Sequence, residues 1–223
     1  GTGKARITFA PRLDFGQAAT KLDRTAHGLV VSEVIDAVAL HAPGVEWTIN
    51  DDGDHHTATA EVDLTNGPVE LHLRWGTTDC SPSSIGERSR RSETIHFWRQ
   101  WLKILDLPDL HVDAMRTSAL VLKGLVHGPT GAIAAAGTTS LPETIGGVRN
   151  WDYRFCWPRD ASMAATTLVR SGSATEAVGL RDWLSRIVQH TGSAERLAPI
   201  YTVGGQETPS EAELAHLSGY AAS

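Results

Sequence analysis

The spacing of apolar residues changes near residue 92, and this change constrains the fold more than any other feature. Before it, apolar and polar residues alternate in three segments, 45–50, 57–64 and 69–75. Alternation with a period of two is typical of strands that bury one face of an antiparallel sheet. Turn-forming Asp, Asn, Gly and Pro residues separate the segments, so we predict several short strands arranged as a β-sandwich.

After residue 92 the apolar residues follow a helical spacing instead. This spacing predicts four helices within the following segments: 92–105, 112–126, 161–170 and 177–188. The segment 129–159 between the second and third helices is rich in Gly, Thr, Pro and aromatic residues and has no helical period. Long ordered loops in compact domains are often functional, so we expect the chemistry of this protein there.

These patterns divide the chain into domains. We predict an α+β multidomain protein, with an N-terminal β-sandwich in residues 1–90, a linker helix in 91–108 and a helical domain in 109–223. A length of 223 residues, with 41% hydrophobic and 21% charged residues, is enough for substantial buried cores and is ordinary for a globular protein.

Charge and cysteine content exclude several classes of protein. The net charge of -6, without a basic face, argues against a nucleic-acid partner. Nothing approaches about 18 consecutive apolar residues, so we expect no membrane partner. Cys80 and Cys156 form neither a disulfide framework nor a metal-ligand spacing, and they fit a reducing, cytoplasmic location.

Residues 151–160 concentrate side chains that suit a sugar pocket. These ten positions hold two Trp, one Tyr, one Phe, two Arg and two Asp. Sugar rings offer apolar C–H faces for stacking on aromatic planes, and a rim of hydroxyls for hydrogen bonds. Charged Arg and Asp groups make the stronger hydrogen bonds. The composition therefore favours a carbohydrate pocket.

Structural roles for the same residues stay open at this point. Trp151, Phe155 and Trp157 also suit a hydrophobic core. Asp160 precedes a helical stripe and fits an N-cap, with Arg159 as its ion-pair partner. A capping role does not exclude ligand binding, because a carboxylate held by backbone N–H groups is well placed for a hydroxyl.

A longer set of motifs resembles glycoside hydrolase family 15, which contains glucoamylases and bacterial trehalases. The motifs that carry this resemblance are Thr138-Thr139-Ser140-Leu141-Pro142-Glu143, Arg149-Asn150-Trp151-Asp152-Tyr153-Arg154, Trp157-Pro158-Arg159-Asp160 and His216-Leu217-Ser218-Gly219-Tyr220. The family's fold is an N-terminal β-sandwich, a linker helix and an (α/α)6 barrel. The resemblance implies that residues 109–223 form the first helices of this barrel.

The resemblance also implies roles for four residues. In the family's pocket motif, Tyr153 and Trp157 would line a glucose pocket, and Arg159 and Asp160 would bind the outer hydroxyls of the sugar. Glu143, which follows Pro142 in the pocket loop, and Trp151 are candidates to support this pocket from behind. For Glu143 the alternative is a hydrogen-bonding role within the loop.

The activity implied by the resemblance is hydrolysis of α-glucosidic bonds with inversion, which releases glucose. Trehalose, malto-oligosaccharides and isomalto-oligosaccharides are all candidate substrates, and a homo-oligomer stays open. Inversion needs two carboxyls about 6.5–9.5 Å apart. In the family both are glutamates that we expect beyond Ser223, so the catalytic residues stay unknown. No organic cofactor and no metal are expected. The alternative is a non-catalytic glucoside-binding or partner-dependent protein.

Overall fold

The computed structural model describes residues 3–34 and 36–222, and within them seven β-strands and four α-helices. The strands are β1 (Lys4–Phe9), β2 (Asp23–Thr25), β3 (Gly28–Val31), β4 (Val38–His41), β5 (Thr48–Asp51), β6 (His56–Asp63) and β7 (His72–Trp75). The helices are α1 (Glu87–Lys103), α2 (Val112–Gly124), α3 (Pro158–Arg170) and α4 (Thr175–Thr191). None of these described helices has the length and apolar character needed to span a membrane.

The chain forms two compact units, Gly1–Ser92 and Glu93–Ser223, and the boundary falls within α1. The first unit contains a three-stranded sheet of order β1-β6-β5 and a four-stranded sheet of order β2-β3-β4-β7. All neighbouring strands are antiparallel. The predicted succession of antiparallel sheets and helices is therefore confirmed, whereas the (α/α)6 barrel stays a prediction.

Both sheets contribute apolar side chains to one core in the first unit. In the four-stranded sheet, Leu29 pairs with Leu40 across β3 and β4, and both side chains are buried. In the three-stranded sheet, β6 buries Ala58 and Ala60. The further buried members of this core are Leu22, Val31, Val38, Ala42 and Trp47. Removing this apolar surface from water is the main favourable contribution to folding of the unit.

One predicted apolar face is exposed. The alternation in residues 69–75 predicted that the apolar side of β7 would be buried, but Leu73 and Trp75 are 65% and 63% exposed. β7 lies at the edge of its sheet, and the chain after it folds over the opposite face. The Arg74 guanidinium holds this return segment by donating to the carbonyl oxygens of Asp79 (2.8 Å) and Ser81 (2.6 Å).

In the second unit, α3 and α4 pack against each other around a second core. Trp183 of α4 and Tyr201 are almost fully buried, with ring centroids 6.0 Å apart in an edge-to-face arrangement. The other buried members are Ala132, Ile133, Cys156, Ala161, Ala165, Leu180 and Ile187. The apolar stripes predicted for the third and fourth helices thus meet in this core, as their spacing indicated.

A buried ion pair joins α2 to α4. The Lys123 ammonium donates to the Glu176 carboxylate at 2.5 Å, and only 2% of the Glu176 side chain is exposed. The Ser173 hydroxyl donates to the same carboxylate (2.6 Å) and accepts from the indole N–H of Trp101 in α1 (3.2 Å). Burial alone would raise the pKa of Glu176, but the hydrogen bonds from Lys123 and Ser173 outweigh it and lower the pKa. The carboxylate therefore stays ionised inside the unit.

Two glycines allow the loop after α2 to touch α4. A Cβ on Gly131 would lie 2.5 Å from the carbonyl carbon and oxygen of Gly179, and Gly131 has a φ of +84°. Both the close approach and the left-handed backbone favour glycine at this position. This contact fixes the chain at the point where the segment between α2 and α3 begins.

We predict that Lys123→Met lowers the free energy of unfolding by about 3 kcal/mol at pH 7, because it leaves a buried carboxylate without its partner. Since the folded-state pKa of Glu176 lies below its ordinary value of 4.5, the pair stabilises the protein above that pH. This stability is lost as the pH falls through the folded-state pKa. Urea titrations should therefore show a smaller difference at pH 4. The matched control is Lys103→Met, which changes an exposed lysine of α1. An equal loss of unfolding free energy in this control would contradict the role of the Lys123–Glu176 pair.

We also predict that Gly131→Ala destabilises the protein by about 2 kcal/mol or more, through backbone strain and the clash with Gly179. Gly137→Ala is the control, because a Cβ there has no atom within 4 Å. Thermal unfolding followed by circular dichroism measures both variants. Equal melting temperatures for the two variants would show that the contact between the loop and α4 is not tight.

Candidate functional site

The segment between α2 and α3 forms an irregular hairpin, which we call the hairpin arm (residues 135–155). Its two sides pair through backbone hydrogen bonds from Ala135 N to Phe155 O (3.0 Å), from Ala136 N to Tyr153 O (2.8 Å) and from Ser140 N to Trp151 O (2.7 Å). The sequence predicted a functional loop here but not this pairing. The pairing matters because it places the residues after Trp151 at fixed positions.

The base of the hairpin arm is anchored in the core of the second unit. Cys156 and Tyr201 exchange two backbone hydrogen bonds, at 2.8 and 2.9 Å. Cys156 is fully buried, and this burial raises the pKa of its thiol to about 11. A thiol with so high a pKa is a poor nucleophile at neutral pH. Cys156 therefore acts as a packing residue beneath the site.

Helix α3 begins beside the hairpin arm, and its first residues carry two of the candidate groups. Trp157 occupies the N-cap with an extended backbone, and Pro158 is the first helical residue. Proline fits this position because its missing N–H is not needed there. Asp160 consequently lies in the first turn, and the suggestion that it is the N-cap is wrong. A carboxylate in the first turn still interacts favourably with the helix dipole.

Arg159 and Asp160 form an exposed ion pair. The Arg159 Nη2 atom lies 3.2 Å from Asp160 Oδ2 and 3.4 Å from Oδ1, and the two side chains are 82% and 43% exposed. An exposed pair of this kind adds little to stability. Both groups are instead accessible to a ligand, as donors and acceptors that match sugar hydroxyls.

Tyr153 and Trp157, which precede this ion pair in the sequence, form an aromatic corner. Their ring centroids are 5.7 Å apart, with an interplanar angle of 68°. Tyr153 is exposed and Trp157 is half-buried. The suggestion that Trp157 is simply a core residue is therefore wrong in part, because some of its surface remains accessible. The two rings thus meet roughly edge to face, an arrangement that aromatic pairs favour.

Trp151 and Glu143 lie where the tip of the hairpin arm begins. The Trp151 indole N–H donates to Glu143 Oε1 at 3.5 Å, and Arg149 Nη1 lies 3.7 Å from Glu143 Oε2. Trp151 is 42% exposed, so it is not a core aromatic residue. Its backbone N–H donates to Ser140 Oγ at 2.7 Å. The structure thus brings both predicted supporting residues together, on the arm.

One feature of the site was not predicted. The Asp152 carboxylate accepts three hydrogen bonds from Arg154, from the backbone N (3.1 Å), Nε (2.8 Å) and Nη2 (2.6 Å). The Arg154 side-chain bonds lower the pKa of Asp152, against a smaller opposing effect of burial. Because this carboxyl is held ionised, it is unsuited to act as a general acid. In the sequence, the spacing of an Asp and an Arg two residues apart could have indicated this ion pair.

A separate groove of about 670 Å³ lies between α3 and α4. Its lining includes Ala165, Val169, Leu180, Leu184 and Val188, so it is mainly apolar. None of the six candidate residues lines it. Two arginines, Arg170 and Arg181, also line the groove, but it has none of the aromatic rings and carboxylates that the hairpin arm and the start of α3 present.

Comparison with family models matches two parts of the chain. Residues 1–98 match the model described as "Trehalase-like, N-terminal". Residues 110–223, just over half of the chain, match "Glycosyl hydrolases family 15". The second match contains all six candidate residues. Comparison with solved structures gave no significant match.

Curated relatives of the chain carry the name trehalase. The protein from Mycobacterium tuberculosis is 46% identical over 68% of this chain and 23% of its own length. The protein from Mycolicibacterium smegmatis is 40% identical over 73% of this chain and 25% of its own length. The protein from Thermoplasma acidophilum is 28% identical over 93% of this chain and 35% of its own length.

The chain thus spans about a quarter to a third of the length of these relatives. The match over residues 110–223 extends across the hairpin arm, the aromatic corner and the Arg159–Asp160 pair. From this match we conclude that the chain belongs to glycosyl hydrolases family 15.

Proposed function

We propose that this chain supplies the glucose-binding part of an α-glucoside hydrolase, and that trehalose is its substrate. The observation that carries the proposal is the aromatic corner of Tyr153 and Trp157, followed in the chain by the accessible Arg159–Asp160 pair, within the residues that match the family model. We propose trehalose rather than malto- or isomalto-oligosaccharides as the substrate because the relatives described above are named trehalase.

Each of the six residues receives a role in this proposal. Tyr153 and Trp157 contact the C–H faces of a glucose unit. Arg159 and Asp160 bind its outer hydroxyls through charge-assisted hydrogen bonds, which are roughly twice as strong as neutral ones. Glu143 and Trp151 support this pocket from the start of the tip of the hairpin arm. The same proposal assigns residues 109–223 to the first helices of an (α/α)6 barrel, after a β domain (1–90) and a linker (91–108).

The proposed reaction inverts the anomeric carbon. One carboxyl protonates the leaving oxygen, while a second activates a water on the opposite face of the sugar. Asp152 is excluded from the acid role, because Arg154 keeps it ionised. The proposal assigns the acid and base to glutamates outside this chain, so the residues described here bind and orient the sugar rather than transfer protons.

Hydrolysis by the natural protein that contains this sequence tests the proposed activity. Glucose release is measured from trehalose, maltose and isomaltose, and the anomer of the first glucose is followed by proton NMR. We expect trehalose to be cleaved fastest and to yield equal amounts of α- and β-glucose at first, because water attacks one C1 opposite the leaving oxygen while the leaving glucose keeps its α-configuration. Binding of trehalose without glucose release would favour the non-catalytic alternative.

We predict that Arg159→Ala or Asp160→Ala lowers kcat/KM for trehalose at least about a hundredfold in the natural protein. A loss of about 3 kcal/mol is reasonable when a buried polar partner on the substrate is left unpaired. Steady-state kinetics over a range of trehalose concentrations measures the effect.

The matched controls are Arg181→Ala and Asp182→Ala on α4. They remove a neighbouring Arg–Asp pair of the same type, at 2.7 Å and similarly exposed. We expect these controls to keep kcat/KM within about twofold. Near-normal kcat/KM in both Arg159→Ala and Asp160→Ala would rule out the assigned pocket.

A further inference from the structure

We propose that the ion pair between Asp152 and Arg154 is a positioning device, which holds the Tyr153 ring against Trp157 in the orientation that receives the sugar. The inference rests on the proposed function, because it concerns the same pocket. Neither residue is assigned to contact the substrate. Both act through the residue between them.

The geometry of the pair closes a tight turn. Asp152 and Arg154 are two residues apart, and Oδ1 of Asp152 accepts both the backbone N–H and the Nε–H of Arg154, while Oδ2 accepts from Nη2. A carboxylate that binds the backbone two residues later forms an Asx-turn. The planar guanidinium adds a two-point contact that a lysine cannot reproduce. The backbone on either side of Tyr153 is thus fixed by one carboxylate.

Residues on the opposite side of the hairpin arm also contact the turn at 152–154. Asp152 pairs with Thr139, and the Tyr153 carbonyl accepts from Ala136 N at 2.8 Å. These contacts fix the backbone of the turn relative to the other side of the hairpin arm. The Asp152–Arg154 pair complements these contacts, because it restrains the turn from which the ring emerges.

The position of Tyr153 explains why such restraint matters for binding. Its ring meets Trp157 edge to face at 5.7 Å, while about a third of the side chain stays accessible. Trp157 belongs to the start of α3 and Tyr153 to the hairpin arm, so their relative orientation depends on the turn at 152–154. A ring already held in its bound orientation loses less conformational freedom when the ligand arrives.

The charge state of the pair supports a constant restraint at neutral pH. Arg154 lowers the pKa of Asp152, and the carboxylate in turn raises the pKa of Arg154. Because the folded-state pKa of Asp152 is lowered, the ion pair is fully formed at any pH above the ordinary pKa of an aspartate. It is lost only as the pH falls through the lowered pKa. Both partners therefore stay charged wherever the enzyme would be assayed near neutrality.

The test separates the orientation of the ring from sugar binding. Near-UV circular dichroism of the natural protein without ligand is recorded for the parent and for Tyr153→Leu, and their difference isolates the contribution of Tyr153 from that of the other aromatic residues. We expect Asp152→Asn to remove at least about half of this difference signal. Asp182→Asn, which breaks the exposed Arg181–Asp182 pair on α4, is the matched control and should leave the signal unchanged.

Binding and kinetics give the second readout. We expect Asp152→Asn to raise the Kd and KM for trehalose about tenfold with kcat changed less than about twofold, because a contact made equally in ground and transition states affects KM alone. Arg154→Lys keeps the charge without the two-point contact, so its Kd for trehalose should lie between that of the parent protein and that of Asp152→Asn. Should Asp152→Asn lose its far-UV spectrum through unfolding, Arg154→Lys alone decides the outcome.

Two negative results are distinguishable. A parent protein that fails to bind trehalose overturns the proposed function, while the near-UV comparison still reports on the turn. An unchanged near-UV difference signal together with a parent-like Kd in Asp152→Asn overturns the positioning role, even if trehalose is the substrate.

Discussion

The second unit depends on the buried carboxylate of Glu176. It binds Lys123 of α2 directly and Trp101 of α1 through Ser173, so three helices meet at one charged group. A buried ion pair adds little to stability compared with well-packed apolar residues, but losing one partner is costly. Its contribution is therefore to fix which helices lie together. The relation between α2 and α4 in turn determines where the chain between α2 and α3 begins.

That chain makes the candidate site out of two different kinds of element. The hairpin arm contributes Tyr153 from a turn, while the first turn of α3 contributes Arg159 and Asp160 from a rigid helix. Pro158 links them, because its fixed φ starts the helix directly after Trp157. The groups proposed to bind a sugar thus lie within eight residues of sequence, although their backbone is supported by contacts from Ala135, Ala136 and Tyr201.

Helices were easier to predict from the sequence than strands, for a physical reason. The stripes of α1 to α4 repeat over three or more turns, so each helix is visible alone. Strands β3 and β4 were not predicted, because most of Gly28–Val31 and all of Val38–His41 are buried and the alternation is lost. The exposure of Leu73 and Trp75 was not predicted. They pair with Leu40 and Val38 and so lie on the core side of the sheet, but β7 is its edge strand, and alternation does not show whether a strand is central or at an edge.

The site residues were visible through their chemistry, but their arrangement was not. The density of aromatic and charged groups at 151–160 identified the segment, and the resemblance to a family suggested the roles, which stay predictions. The Asp152–Arg154 turn was missed because it is a contact between near neighbours that no periodicity reports. The pairing of the arm was missed because residues 135–140 are small and polar, without a strand pattern.

The hydrogen bond between Ser140 N and Trp151 O closes the neck of the hairpin arm, and so separates the tip at 141–150 from the residues that follow. The side chains of Leu141, Ile145 and Val148 in this tip are largely exposed, so they contribute little to the core. The free-energy cost of closing a loop rises slowly with its length, by about 0.6 kcal/mol for each doubling of the number of residues. A second hydrogen bond, from Glu143 N to Arg149 O, closes the tip again. The stretch 144–148 beyond it is therefore free to gain or lose residues during evolution without shifting Tyr153 or α3, and length variation among homologues should concentrate there.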